Sequence, residues 1–194
     1  MTRDRLVIVL LIVAALALAL FGWWYRYEQG RRPIALWGGR AAHVIRNAPS
    51  AELWKLEPAD DKQEEDEANG DSTIVVDGRP MRVVERMQLP AGDELRDVQK
   101  GLVQDRSFDW EEPRGDCAPL WPYALRLLGG GDEVVIALDF DCQRARLVAP
   151  SNDHEMDPEV SIAPIAAGLK KIIDDWIKEL GAARQSAKPQ VEGE

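Results

Sequence analysis

The 194 residues carry 34 acidic and 24 basic side chains, a net charge of −10, which argues against a nucleic-acid backbone as partner because like charges repel before contact forms. Residues 1–32 hold five arginines against one aspartate and one glutamate, so the rest of the chain carries −13. About 160 residues in that remainder suffice for one domain with a core of its own, and two histidines and two cysteines are too few to expect a structural zinc site.

Residues 1–5 form a short polar tail, and residues 6–24 (LVIVLLIVAALALALFGWW) contain no charged side chain. As a helix this run spans roughly 28 Å, matching the ~30 Å hydrocarbon core of a bilayer. A cleaved secretory signal competes with this reading, with Arg3 and Arg5 as its basic start and Ala15-Leu16-Ala17 or Ala17-Leu18-Ala19 as cleavage sites. The run is longer than a usual signal core of ~7–15 residues, and both sites precede further apolar residues rather than a polar boundary. Trp23, Trp24, Tyr25 and Tyr27 instead read as an aromatic belt at headgroup depth. Arginines flank the run on both sides, at Arg3 and Arg5 and at Arg26, Arg31, Arg32 and Arg40, so the positive-inside rule does not orient it. The short tail and the pair of cysteines favour a domain on the extracytoplasmic side of the cell membrane.

Residues 25–38 read as a tether in which Gly30 and Pro33 interrupt the membrane helix. The domain, residues 39–181, begins with a helix over 39–47 whose stripe of Ala41, Val44, Ile45 and Ala48 stops at Pro49. His43 stands on it without companions at ligand spacing. A strand over 51–56 leads to an acidic loop, 58–72, of which residues 60–72 hold seven acids and one lysine. That composition predicts disorder, and the calcium-loop register is missing from it. Strands over 73–77 and 80–89 flank the turn Asp77-Gly78. Strict alternation along the second puts Met81, Val83, Met87 and Leu89 on one face and Arg82, Arg86 and Gln88 on the other. A helix over 93–104 follows, with Leu95, Val98, Leu102 and Val103 on its stripe, and Phe108 and Trp110 then cap the core.

The clearest hairpin pairs 120–128 with 133–141 around Gly129-Gly130-Gly131-Asp132, so that residue n faces 261 − n. This register brings Cys117 and Cys142 to the open end within reach of a disulfide. A third strand covers 144–149 and a loop 150–158. The last helix starts at a Ser161 cap, carries Ile162, Ile165, Ala166, Leu169, Ile172, Ile173, Trp176, Ile177 and Leu180 at 3–4 spacing, and ends at Gly181. Residues 182–194 read as a disordered tail. The order α-β-β-β-α-β-β-β-α predicts an α+β fold with a mostly antiparallel sheet and helices packed on one face, and it hints at a duplicated unit.

Asp139-Phe140-Asp141 is the strongest candidate for chemistry. Alternation on a strand places both carboxylates on one face about 7 Å apart, suited to a shared metal or to acid and base roles, with His154 or Glu155 supplied by the following loop. The competing reading pairs Asp139 with Arg146 and Asp141 with Arg144 across a turn at Cys142-Gln143, as ordinary charge pairs on a solvated face. No H-E-x-x-H, G-x-S-x-G or phosphate-loop motif occurs. The expectation is a membrane-anchored, non-enzymatic domain acting through protein or ligand contact, with no cofactor. The alternative is a metal-dependent hydrolase using Asp139 and Asp141. Reversing the orientation gives a third reading, a cytoplasmic domain bound to other membrane subunits.

Overall fold

The computed structural model describes residues 3–59, 73–111, 117–148 and 158–186. Helix α1 (Arg3–Trp37) leads through Gly38, whose φ of 79° suits only a residue without Cβ, into α2 (Gly39–Asn47). Strands β1 (Ser50–Pro58), β2 (Thr73–Val76) and β3 (Arg79–Gln88) precede α3 (Asp93–Gly101) and a short 3-10 turn (Asp105–Ser107). Then come β4 (Tyr123–Gly129), β5 (Asp132–Asp139), β6 (Arg144–Val148), β7 (Glu159–Ser161) and α4 (Ala163–Ser186). All pairings in the sheet are antiparallel, in the order β2-β3-β1-β4-β5-β6-β7, and the sheet curls into a half-barrel.

The β4–β5 hairpin pairs Tyr123 with Leu138 and Leu127 with Val134, the register read from its glycine-rich turn. Both strands send every second residue (Leu125, Leu127, Val134, Ile136, Leu138) into a core shared with the helices. Against this face lie Val44 and Ile45 of α2, Leu95 and Val98 of α3, and Leu169, Ile173 and Trp176 of α4. Burying each large side chain there is worth about 1.5–3 kcal/mol. Two polar contacts set the helices on one another. Gln99 donates to the Ala48 carbonyl at 2.8 Å, and the Trp176 indole donates to Glu94 at 2.9 Å.

The alternation expected along β3 breaks at a bulge. Lys55 pairs with Glu85 but Leu56 pairs with Val83, which leaves Val84 without a partner on β1. An extra residue reverses the facing of everything beyond it. Met87 and Leu89 therefore join the helix-side core, while Met81 and Val83 join a second cluster on the opposite face with Trp54, Leu56, Val76, Trp121, Ala124, Val135, Ala137 and Val148.

Four further expectations are corrected. Residues 25–38 form no separate tether, because α1 runs unbroken through Gly30 and Pro33 to Trp37. The duplication is not structural, since β1 pairs with β3 in the first half whereas β4 pairs with β5 in the second. Strand β7 is an additional short edge strand, so Ser161 lies in the sheet and its hydroxyl accepts only a 3.4 Å contact from the Ala163 N–H. Helix α4 passes Gly181 and continues to Ser186, making the first part of the expected tail helical. The acidic residues 60–72 and residues 187–194 lie outside the described residues.

Candidate functional site

Strand β5 ends at Asp139, and the chain turns through Phe140, Asp141, Cys142 and Gln143 before β6. Asp139 pairs with Arg144, and Ala137 with Arg146, so the cross-strand pairs expected for a tighter turn are displaced by two residues. Asp141 sits in the turn and is exposed, whereas Asp139 is 2% exposed. The two carboxylates consequently do not share a strand face. The longer turn moves Asp141 out of the alternation on which that expectation depended.

The buried carboxylate of Asp139 is fully engaged with backbone. One oxygen accepts the N–H of Leu120 at 2.7 Å and of Trp121 at 3.3 Å, and the other accepts the N–H of Cys142 at 2.7 Å. Charge-assisted bonds of this kind are roughly twice as strong as neutral ones. They tie the segment before β4 to the β5–β6 turn. A disulfide between Cys117 and Cys142, with Cα atoms 5.7 Å apart, joins the same two pieces covalently. His154 and Glu155 lie outside the described residues. Among the described residues no cluster of three or more His, Cys, Asp or Glu side chains is placed to hold a metal.

Trp121 is held at a cost. Its φ is 52°, a left-handed conformation that costs a non-glycine residue about 1–3 kcal/mol. It is 1% exposed, and its indole N–H has no partner among the described residues, a further penalty of roughly 1–3 kcal/mol. The ring fills the hollow of the half-barrel with Trp54, above the small side chains of Ala124 and Ala137.

Arginines line this hollow in place of the solvated face expected from the sequence. Trp54 has the guanidinium carbons of Arg86 and Arg126 each 5.4 Å from its ring centre, and its indole donates to Glu52 at 2.9 Å. Arg126 donates to Glu133 at 2.7 Å and to Glu52 at 3.2 Å. The Glu133 hydrogen bond, opposed by burial and aided by Glu52, raises its pKa above the usual arginine value. Arg146, 5.9 Å from the Trp121 ring centre, bridges Asp77 at 2.8 Å and Glu159 at 3.0 Å. Cations and carboxylates thus compensate one another within the hollow, and its apolar floor is filled by the two indoles.

The amino-terminal helix presents different chemistry. Val7–Tyr25 is long and apolar enough to cross a membrane, and none of it is buried against the domain. Trp23, Trp24 and Tyr25 are all more than half exposed, while the side chain of Tyr27 lies outside the described residues. The far end of the same helix is locked into the core. Trp37 is 2% exposed, donates to the Leu102 carbonyl at 2.6 Å and packs edge-on to Phe108, and Arg32 lies over Trp110.

Open surface clefts lie elsewhere among the described residues. One, of about 350 Å³, lies between the end of α2 and the start of α3 beside Arg46, Gly92 and Arg96, and another, of about 410 Å³, lies beside Lys100, Gln104 and Pro164. Neither includes Asp139, Asp141 or the cysteines. Trp37, Trp54, Trp121 and Arg126 were not singled out in the sequence, and Arg146, expected opposite Asp139, lies opposite Ala137. Their one signal was large aromatic and basic residues set inside apolar strand patterns, a pattern equally suited to a solvated face. No protein-family model, curated protein or solved structure matches this chain.

Proposed function

We propose that this chain is a single-pass membrane protein whose α+β domain makes protein or ligand contacts close to the bilayer, on the extracytoplasmic side. One observation carries the reading: a single helix, α1, is apolar and uncovered over Val7–Tyr25 yet buried in the domain core at Trp37. No described part of the domain covers its apolar length, and lipid is the medium that would. The twelve residue steps from Tyr25 to Trp37 rise about 18 Å, so the domain stands clear of the headgroups at a fixed height. Unbroken helix and a buried indole at the joint make this a stiff support and not a flexible leash. The disulfide, whose Cys117 is exposed, supports the extracytoplasmic side, because such bonds persist in oxidising compartments. The hydrolase alternative draws no support from the turn, where both oxygens of Asp139 are spent on backbone N–H groups.

Alkaline carbonate extraction of membranes holding the full-length chain, combined with alkaline phosphatase fused after Glu194, tests the reading. Retention in the pellet with active phosphatase is the expected result. Release into the supernatant, or a mature chain that begins near residue 20, removes the anchor. An inactive phosphatase on a retained chain reverses the orientation.

A further inference from the structure

The segment Cys117 to Pro122 leads into β4, is joined to the β5–β6 turn by the disulfide, and buries Trp121 with Trp54, Ala124, Val135 and Ala137. Its backbone bonds among the described residues are these. Pro119 and Pro122 lack an N–H, and the N–H groups of Leu120 and Trp121 both go to the one carboxylate of Asp139. The Pro122 carbonyl accepts from Leu56 at 2.9 Å. Leu120 is 67% exposed and Cys117 faces solvent. What the segment holds is a buried aromatic with a left-handed backbone and a lone indole donor, the kind of costly arrangement that persists only while its surroundings enforce it.

We propose that the Cys117–Cys142 disulfide is a thiol-sensitive latch: closed, it keeps Trp121 seated among Trp54, Ala124, Val135 and Ala137, and opened, it lets residues 117–122 lift and Trp121 leave that cluster. Exposed disulfides are the labile class, and Cys117 offers the accessible sulfur. The reductant is a dithiol, such as a protein with a Cys-X-X-Cys pair. Its thiolate attacks Sγ of Cys117, breaking the bond to Cys142 and releasing the Cys142 thiolate, which takes up a proton. The second thiol of the reductant then loses its proton and displaces Cys117, which is protonated in turn. Two electrons pass to the chain, two thiols form on it, and the dithiol leaves as a disulfide. Asp139 stays in place throughout and re-forms its bonds to Leu120 and Trp121 when the bridge closes, which makes the opening reversible.

The test is amide hydrogen exchange on the full-length chain in detergent, with and without dithiothreitol, together with mass counting of alkylated thiols. Two thiols are expected without denaturant, with exchange at Leu120 and Trp121 faster by about tenfold or more and exchange in β1 and the middle of β5 unchanged. The Cys142→Ser variant in air should show the same local pattern. Two thiols with unchanged rates at Leu120 and Trp121 would overturn the proposal, since Asp139 then suffices. A bridge that yields only in denaturant, or acceleration spread over the whole sheet, overturns it equally by making the bond a general staple. Should the variant fail to fold, titration of the unmodified chain with dithiothreitol decides alone.

Discussion

Substituting Asp139→Asn preserves the outline of the side chain but replaces one acceptor oxygen with a second donor group. Three backbone N–H groups converge on that carboxylate, so at least one loses its acceptor in a buried site. Charged hydrogen bonds contribute about 1.5–3 kcal/mol each, and the variant should lose roughly that much in urea unfolding. At the surface, Arg40 donates to Asp132 and holds its carboxyl below the ordinary value of 3.8, mainly through the hydrogen bond. Such a group adds stability that is complete above its unfolded pKa and disappears as pH falls through the lower, folded one. Asp132→Asn should therefore lower stability slightly above about pH 4 and converge on the parent in more acid solution, which flattens the acid limb of the stability curve. The difference should shrink in high salt, because the pair is solvent-exposed.

Among the elements, β3 shows best how one residue can govern two cores. Val84 has no counterpart on β1, and it lets a single strand feed Met87 and Leu89 to the helices and Met81 and Val83 to the hollow. Deleting Val84 restores simple alternation and must turn one of these pairs the wrong way. With about 2 kcal/mol for each large side chain brought out of its core, the deletion should cost roughly 4 kcal/mol, measured as a lower thermal midpoint or as failure to fold. A Val84→Ala variant, by contrast, keeps the bulge and trims a side chain that is 37% exposed, so its unfolding midpoint should stay within about 0.5 kcal/mol of the parent. Helix α1 shows the opposite case, where a local breaker is overruled. Pro33 removes one backbone donor inside the helix, but the turn that follows is clamped by Trp37 against Leu102 and Phe108, and tertiary packing outweighs the local preference.

At the scale of the whole molecule, curvature brings the two ends of the half-barrel sheet within reach of one side chain. Arg146 on β6 reaches Glu159 on the neighbouring edge strand and Asp77 in the turn joining β2 and β3, which belong to the opposite edge. Its side chain and that of Glu159 are each 9% exposed. Arg146→Met would leave Glu159 buried without its cation, and removing one member of a buried pair costs about 3–5 kcal/mol. Chemical denaturation should register that loss, and adding Glu159→Leu should return most of it, since the penalty belongs to the uncompensated charge. Single and double variants that lose stability equally would show that Asp77 is the partner that matters.

The apolar run of residues 6–24, the register of the β4–β5 hairpin and the buried stripe of α4 were all legible in the chain. Each depends on neighbours a few residues apart, so periodicity and turn chemistry suffice to read it. The Asp139 pair was misread because one longer turn moved Asp141 off the strand, and the solvated face expected at Arg146 because alternation assigns a side chain to a face without saying what covers that face. Curl of the sheet, the Val84 bulge, the short β7 strand and the passage of α1 through Pro33 are set by contacts between residues far apart in the chain. Local sequence determined most of the segments that became helix or strand; only the assembled fold decided the rest and which of their two sides met water, because burial is a property of the surroundings and not of the segment.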